Sequence, residues 1–298
     1  MVSSPLIICA AIVARTERLR VGVAVNVLPL NHPVRMAEEI ATLDQISRGR
    51  IDFGVGRSGF MRAYEGYDIP YEESRERFQE NLNIILAAWT NEKFSYQGKH
   101  YTFNDVCVIP KPYQDPHPPL RMAATTKETF PQVGELGYPI FVGLRGLDRP
   151  DLARLLDDYR QAWKDAGHAG EGDVFLRIPI FVGASEEEAY ADAEESTMRS
   201  YRRMAQNFAA SASAAGATAD EDRAKRGETL AAVTYEELIR DRLAYGSPEG
   251  VINQRKVITE ELGLSGIVAE TNVGGLIPRE KVAASIDLLC KEVVPALR

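Results

Sequence analysis

Two short stretches carry the residue types that hold a phosphate. The first is Gly54-Val55-Gly56-Arg57-Ser58-Gly59. Its glycines let backbone come close to a ligand at a strand end, and Arg57 is a fixed cation with a forked donor set. The spacing also fits the dinucleotide fingerprint GxGxxG, which requires a helix opening directly after the strand. Here Phe60–Pro70 reads as a loop holding Gly66 and Pro70, so that context is missing. The plain alternative for Arg57 is a salt bridge at a strand-to-loop turn. The second stretch is Ala123-Ala124-Thr125-Thr126-Lys127-Glu128-Thr129. It stands at a strand-to-helix junction, where free N–H groups and hydroxyls suit an anion. Thr126 and Thr129 are three residues apart and can both face the first helical turn. The plain alternative is N-capping by Thr125 or Thr126. Two such clusters, each after a strand, point to a phosphate-bearing cofactor, because barrel active sites lie at the strand C-terminal ends.

Other chemistries find less support. The four histidines, His32, His100, His117 and His168, show no HxxH or HExxH spacing, so no metal is expected. His32, in Leu30-Asn31-His32-Pro33, reads as a loop histidine holding a turn rather than a base. There is no P-loop, no GxSxG elbow and no Cys–His arrangement. The three cysteines lie far apart, which suits a reducing cytoplasm. The net charge of −8 makes the surface repel phosphate backbones, so nucleic acid is not an expected partner. No apolar run reaches the roughly 18 residues of a membrane span. The opening stretch lacks a basic segment before its apolar residues and runs into Arg15, Arg18 and Arg20, unlike a signal peptide.

The elements that must position these clusters alternate strand and helix, the pattern of a parallel α/β sheet or barrel. A helix is expected from Pro5 to about Thr16, and strands at Leu19–Val27, Arg50–Gly56, Leu120–Ala124, Pro139–Gly143, Val174–Val182 and Gly266–Glu270. Further helices are expected at Met36–Ser47, Glu72–Trp89, Lys127–Leu136, Asp151–Ala166 and Glu280–Val294, with another opening at Glu186. Phe94–Val108 reads as an inserted hairpin. Ser211–Ala219, rich in Ala, Ser and Gly, reads as a mobile surface segment or lid more than a domain linker. Six barrel-type strands are visible where a complete barrel has eight. No repeat or linker divides the chain, so one domain over residues 1–298 is expected.

The run Val21 to Glu39, the stretch Leu43-Asp-Gln-Ile-Ser-Arg-Gly-Arg50, Phe53-Gly-Val-Gly-Arg57, Glu270-Thr-Asn-Val-Gly-Gly275 and Val293-Val-Pro295 together resemble the luciferase-like monooxygenases, over essentially the whole chain. The resemblance implies a TIM (β/α)8-type barrel and a flavin-dependent monooxygenase that uses reduced FMN (FMNH2) and O2 on a small organic substrate. A flavin reductase would supply the reduced flavin, and a homodimer is an open arrangement. A related branch uses F420 for hydride transfer, and a non-catalytic flavin-binding protein is a third reading. By resemblance, Arg57 matches the flavin-phosphate arginine, and Thr126 and Thr129 match hydroxyls on the same phosphate. Thr125 stands where the luciferase subunit has a glutamate. Ala24 and Val25 fall on the strand behind the flavin ring, where many members carry a non-proline cis peptide. Gly56 replaces a reactive cysteine. The family places a strand, a helix and a second strand before the segment that begins at Ser3. The chain is therefore expected to be N-terminally truncated relative to the family barrel, with the strands at Leu19–Val27 and Gly266–Glu270 each short of a neighbour. No catalytic base is identified.

Overall fold

The computed structural model describes residues 4–144, 146–212 and 217–297, except the side chains of 211–223. The chain divides into two compact units, residues 1–124 and 125–298. No linker-like composition marks the division.

In the first unit, helix α1 (Pro5–Val13) begins with proline in its first turn, as expected. Every residue in it is apolar, so no stripe separates a dry side from a wet one. Cys9 and Val13 are buried while Ile7 and Ile8 stay exposed. Strands β1 (Val21–Gly22) and β2 (Asn26–Val27) both run parallel to β3 (Ile51–Gly56). The continuous strand expected over Leu19–Val27 is therefore broken. Four steps lead from Gly22 to Asn26, but three lead from Asp52 to Val55 opposite them, so Val23–Val25 holds one residue more than the ladder can pair. The Ala24–Val25 peptide inside that break is cis, as the resemblance implies.

Helix α2 (Pro33–Ser47) buries Met36, Ala37, Ile40, Ala41 and Leu43, the stripe its helical spacing predicts. Arg50, just before β3, donates to the carbonyls of Val13 at 3.0 Å and Leu19 at 2.7 Å, tying α1 to the strand entry. After β3 come the short α3 (Met61–Glu65), the long α4 (Ser74–Thr90) and the expected hairpin, β4 (Phe94–Gln97) with β5 (Thr102–Val106). Strand β6 (Leu120–Ala123) then pairs in parallel with the other side of β3, Phe53 opposite Leu120. Among the described residues no strand pairs with β1 or β2 on the side away from β3.

The second unit opens with α5 (Thr129–Glu135), β7 (Ile140–Gly143) and α6 (Arg149–Asp165). Asp148 caps α6, accepting from the Asp151 N–H at 2.7 Å. Strand β8 (Val174–Val182) follows as expected. The helix opening at Glu186 runs to Ala212 as α7, and α8 (Ala217–Ala232) follows it. Next come α9 (Tyr235–Asp241) with its Thr234/Glu237 capping box, β9 (Ala244–Gly246) and α10 (Pro248–Leu262). The chain ends with β10 (Gly266–Glu270), α11 (Arg279–Leu288), a π-helical turn at Leu289–Val293 and α12 (Val294–Ala296). The single helix expected over Glu280–Val294 is thus interrupted. Strands β7 and β10 lie parallel on opposite sides of β8, and β9 pairs with its end at Ile180–Val182. Side chains from β8, β9 and α7–α9 form one core around Phe181, Tyr201, Met204, Leu230, Leu238 and Tyr245.

Ser211–Ala219 lies outside the described residues apart from its helical ends. Strand β9 adds a strand to the six expected, because three residues are too few to show alternation. Beyond β10, Gly274 leaves no room for a side chain, since a Cβ there would stand 1.8 Å from the Ser196 carbonyl. The buried Ser196 hydroxyl pins the same loop. It donates to the Val273 carbonyl at 2.5 Å and accepts from the Leu276 N–H at 2.9 Å. Ser196→Ala removes both bonds and strands two backbone groups, so it should lower the unfolding free energy by about 1–3 kcal/mol in urea denaturation. A change within about 0.5 kcal/mol would place the loop's anchor elsewhere.

Candidate functional site

The first cluster sits at the C-terminal end of β3. Gly54 and Gly56 lie inside the strand, and the five-residue α3 opens only at Met61, so the dinucleotide geometry is not formed. Gly56 makes a close approach: a Cβ there would stand 2.5 Å from Val25 Cγ2. Val25 can occupy its place beside β3 only because residue 56 has no side chain. Asn26 fixes the next position, its buried side-chain amide donating to the Gly54 carbonyl at 3.0 Å. Ala24 is left exposed and Val25 half-buried, a small apolar surface at the strand break.

Arg57 follows Gly56 and is held from three directions. Its Nη1 donates to Ser74 Oγ at 2.9 Å, and Ser74, at the first turn of α4, is itself 1% exposed. The guanidinium lies over the Tyr71 ring, 5.8 Å from its centroid, a contact worth roughly 0.5–1 kcal/mol. The Tyr64 phenol donates to the Arg57 carbonyl, and the Tyr64 and Tyr71 rings meet edge to face at 5.1 Å. The salt bridge offered as the alternative for Arg57 is not formed among the described residues. Burial pushes the Tyr64 phenol up to about 12, against a smaller opposing pull from the Arg57 charge.

The second cluster belongs to the second unit. Thr126 Oγ1 and Thr129 Oγ1 lie 2.8 Å apart and share a hydrogen bond, and the Thr129 N–H donates to the Thr126 carbonyl at 3.0 Å. The N-cap of α5 is Glu128, with no side-chain cap, so neither Thr125 nor Thr126 fills the capping role. The expected helix over Lys127–Leu136 starts two residues late for the same reason. The Thr125 carbonyl accepts from Arg226 Nη1 at 2.7 Å. Sequence reasoning did not reach Arg226, Ser74, Tyr71 or Tyr64. Arg226 stands 101 residues from Thr125, and no local pattern joins them.

Among the described residues no histidine bonds a residue of either cluster. His32 packs edge-on against Tyr101 and Phe103, at 5.6 and 5.8 Å, in keeping with a turn-holding role. His117 and His168 each bond a backbone carbonyl. His100 is nearly buried, 3.6 and 3.5 Å from the carboxylates of Glu73 and Glu76. Among the described residues no group of His, Cys, Asp and Glu could hold a metal ion, and no helix is long and apolar enough to cross a membrane.

Comparison with known proteins gives a family match. The model of the luciferase-like monooxygenases matches residues 1–266. A curated relative, the FMNH(2)-dependent dimethylsulfone monooxygenase of Pseudomonas putida, is 27% identical over 271 residues, covering 87% of this chain and 72% of that protein. The match to the protein y4wF of Sinorhizobium fredii, 32% identical, covers 63% of this chain and only 55% of that protein's length. Among solved structures, the monooxygenase RslO1 of Streptomyces bottropensis superposes with a TM-score of 0.77 at 24% identity, over 99% of this chain and 83% of that one. The coenzyme F420 dependent tetrahydromethanopterin reductase of Methanopyrus kandleri does so with a TM-score of 0.76 at 18% identity, over 98% and 87%. These likenesses show an α/β fold of the luciferase-like barrel type.

Tyr64 gives the first cluster a measurable signature. Its folded-state pKa, about 12, lies above the ordinary value of 10.0. The stability linked to its neutral form is therefore complete below pH 10 and is lost as pH rises from 10 towards 12. Burial pushes the phenols of Tyr159, Tyr235 and Tyr245 up as well, so the whole protein should lose stability in this window. Urea denaturation at pH 9 and pH 11 should show the fall, and Tyr64→Phe should make it smaller. An equal fall in the variant would mean that Tyr64 ionises as freely as an exposed tyrosine.

Proposed function

We propose, from the premise that this chain belongs to the luciferase-like monooxygenase family, that it is a flavin-dependent monooxygenase acting with reduced FMN and O2 on a small organic substrate. The observation that carries this reading is Arg57. Its guanidinium is fixed by Ser74 and Tyr71 at a strand end and has no carboxylate partner among the described residues. A cation placed in that way suits an anionic ligand, and the donor chemistry fits a phosphate. The Thr126 and Thr129 hydroxyls form a second donor set of the same chemical kind.

Bound reduced flavin would supply the electrons that activate O2 for transfer to the substrate. The chain's own residues bind and orient. Arg57 would hold phosphate charge, and Thr126 and Thr129 would donate hydroxyl hydrogen bonds to phosphate oxygens. Ala24 and Val25 would give the flavin ring a small apolar surface to lie against. Support for reduced FMN comes from the FMNH(2) dependence of the Pseudomonas putida relative. A flavin reductase is the partner that chemistry calls for, and a homodimer is compatible with it.

A second reading is hydride transfer with F420, favoured by the structural likeness to the F420-dependent reductase. Turnover of candidate substrates with each reduced cofactor separates the two. Oxygenated product with reduced FMN supports the first reading. Reduction of substrate with reduced F420 alone overturns it.

The cofactor contact has a direct test. Arg57→Ala should weaken FMN binding by about 1.5–3 kcal/mol, the range for hydrogen bonds to a charged group. Fluorescence titration reads the affinity. An unchanged value would remove Arg57 from the site.

A further inference from the structure

The α7–α8 helix pair is the part of the second unit that the proposed function leaves unused, and one of its residues reaches the threonine loop. Arg226 on α8 donates from Nη1 to the Thr125 carbonyl at 2.7 Å. Its aliphatic stem lies along a second loop, the one after β7. A Cβ built on Gly146 would stand 3.2 Å from Arg226 Cγ, 3.3 Å from Cβ and 3.4 Å from Cδ. One side chain thus touches both the segment that carries Thr126 and Thr129 and the loop that follows the next strand.

The neighbouring residue explains why Arg226 faces that way. Gly227 is pressed against α7, where a Cβ would stand 3.3 Å from Ala209 N and 3.4 Å from the Ala205 carbonyl. That close approach sets the rotation of α8 about its own axis. Adjacent helix positions point about 100° apart, so Arg226 is turned away from α7 and towards the two loops.

The bond it makes has a consequence for charge. A loop that receives an anion has to present N–H and hydroxyl donors, while every carbonyl beside them carries the wrong partial charge. Arg226 covers the Thr125 carbonyl, immediately before the Thr126–Thr129 hydroxyl pair, with a charged donor. We propose that Arg226 is a positioning residue for a phosphate-binding loop at Thr125–Thr129, and that it makes phosphate binding depend on the seating of helix α8. This rests on the reading of that loop as a phosphate site.

The test compares FMN with riboflavin, which has the same ring and no phosphate. Dissociation constants for both are measured by fluorescence titration on the full chain. The variants are Arg226→Met, Arg226→Lys and Arg226→Gln, with Thr126→Val/Thr129→Val as the reference for the loop. Methionine keeps an apolar stem on Gly146 and loses the donor. Arg226→Met should weaken FMN binding about tenfold, with riboflavin binding unchanged. Arg226→Lys, which keeps a donor and the charge, should restore most of the preference for FMN. Arg226→Gln should restore less. Thermal melts identify any variant that does not fold, and the lysine–glutamine comparison then carries the test. If the threonine variant abolishes the preference for FMN while no Arg226 variant alters it, the positioning role is overturned and the loop reading stands. If the Arg226 variants weaken both flavins equally, the residue is structural only and the proposal fails. If the wild-type chain binds FMN no better than riboflavin, the phosphate reading falls and the proposal with it.

Discussion

The parallel pairing along β3 is the constraint on which the first unit depends. Ile51–Gly56 is almost wholly buried and accepts β1 and β2 on one side and β6 on the other. A parallel strand can be paired on both sides only in a fixed register, so the extra residue at Val23–Val25 must be thrown out of the ladder. That break lies next to Gly56, where Val25 fills the space a side chain would need. The strand end then delivers Arg57 to Ser74 at the start of α4. Ladder register, strand break, glycine and arginine form one chain of causes, and a change in any of the first three would move the last.

In the second unit β8 plays the corresponding role. Val174, Leu176, Ile178 and Ile180 are buried, while Phe175 and Arg177, on the opposite face, are only half-buried. Parallel partners share a face, so Phe141 of β7 and Glu270 of β10 fall on the same side as Phe175 and Arg177. Phe141 and Phe175 meet at 5.9 Å, and Arg177 pairs with Glu270. With Arg177 this open, the pair adds at most about 1 kcal/mol to stability. The sheet therefore has a dry face that supports the fold and a half-open face of mixed aromatic and charged character.

Legibility in the sequence follows the range of the interactions. Strands β3, β7, β8 and β10 announce themselves as short apolar runs between turn residues, and each stands within a residue or so of its expected position. The segment from α8 to α10 does not. Strand β9 has three residues, and its burial comes from the core of β8 and α7–α9 rather than from any pattern of its own. The break in the first strand is also invisible locally, because the valine-rich run Val21–Val27 satisfies strand propensity and only the register against β3 rejects it. The same division holds at the two clusters. Arg57, Thr126 and Thr129 stand in recognisable strand-end motifs. Ser74 and Arg226 join them only through contacts spanning 17 and 101 residues.

On the proposed reading, those long-range contacts would bear on binding as well as on folding. Fixing an arginine side chain costs roughly 1.5–2 kcal/mol of rotamer freedom. Arg57 meets that cost within the fold, through Ser74 and Tyr71, and Arg226 meets it through Thr125 and Gly146. A ligand arriving at Arg57, or at the loop that Arg226 holds, would not have to order these side chains, so more of the interaction energy would remain as affinity. On that reading the motif residues name the chemistry, and the residues that no motif contains would determine whether it is already in position when a ligand arrives.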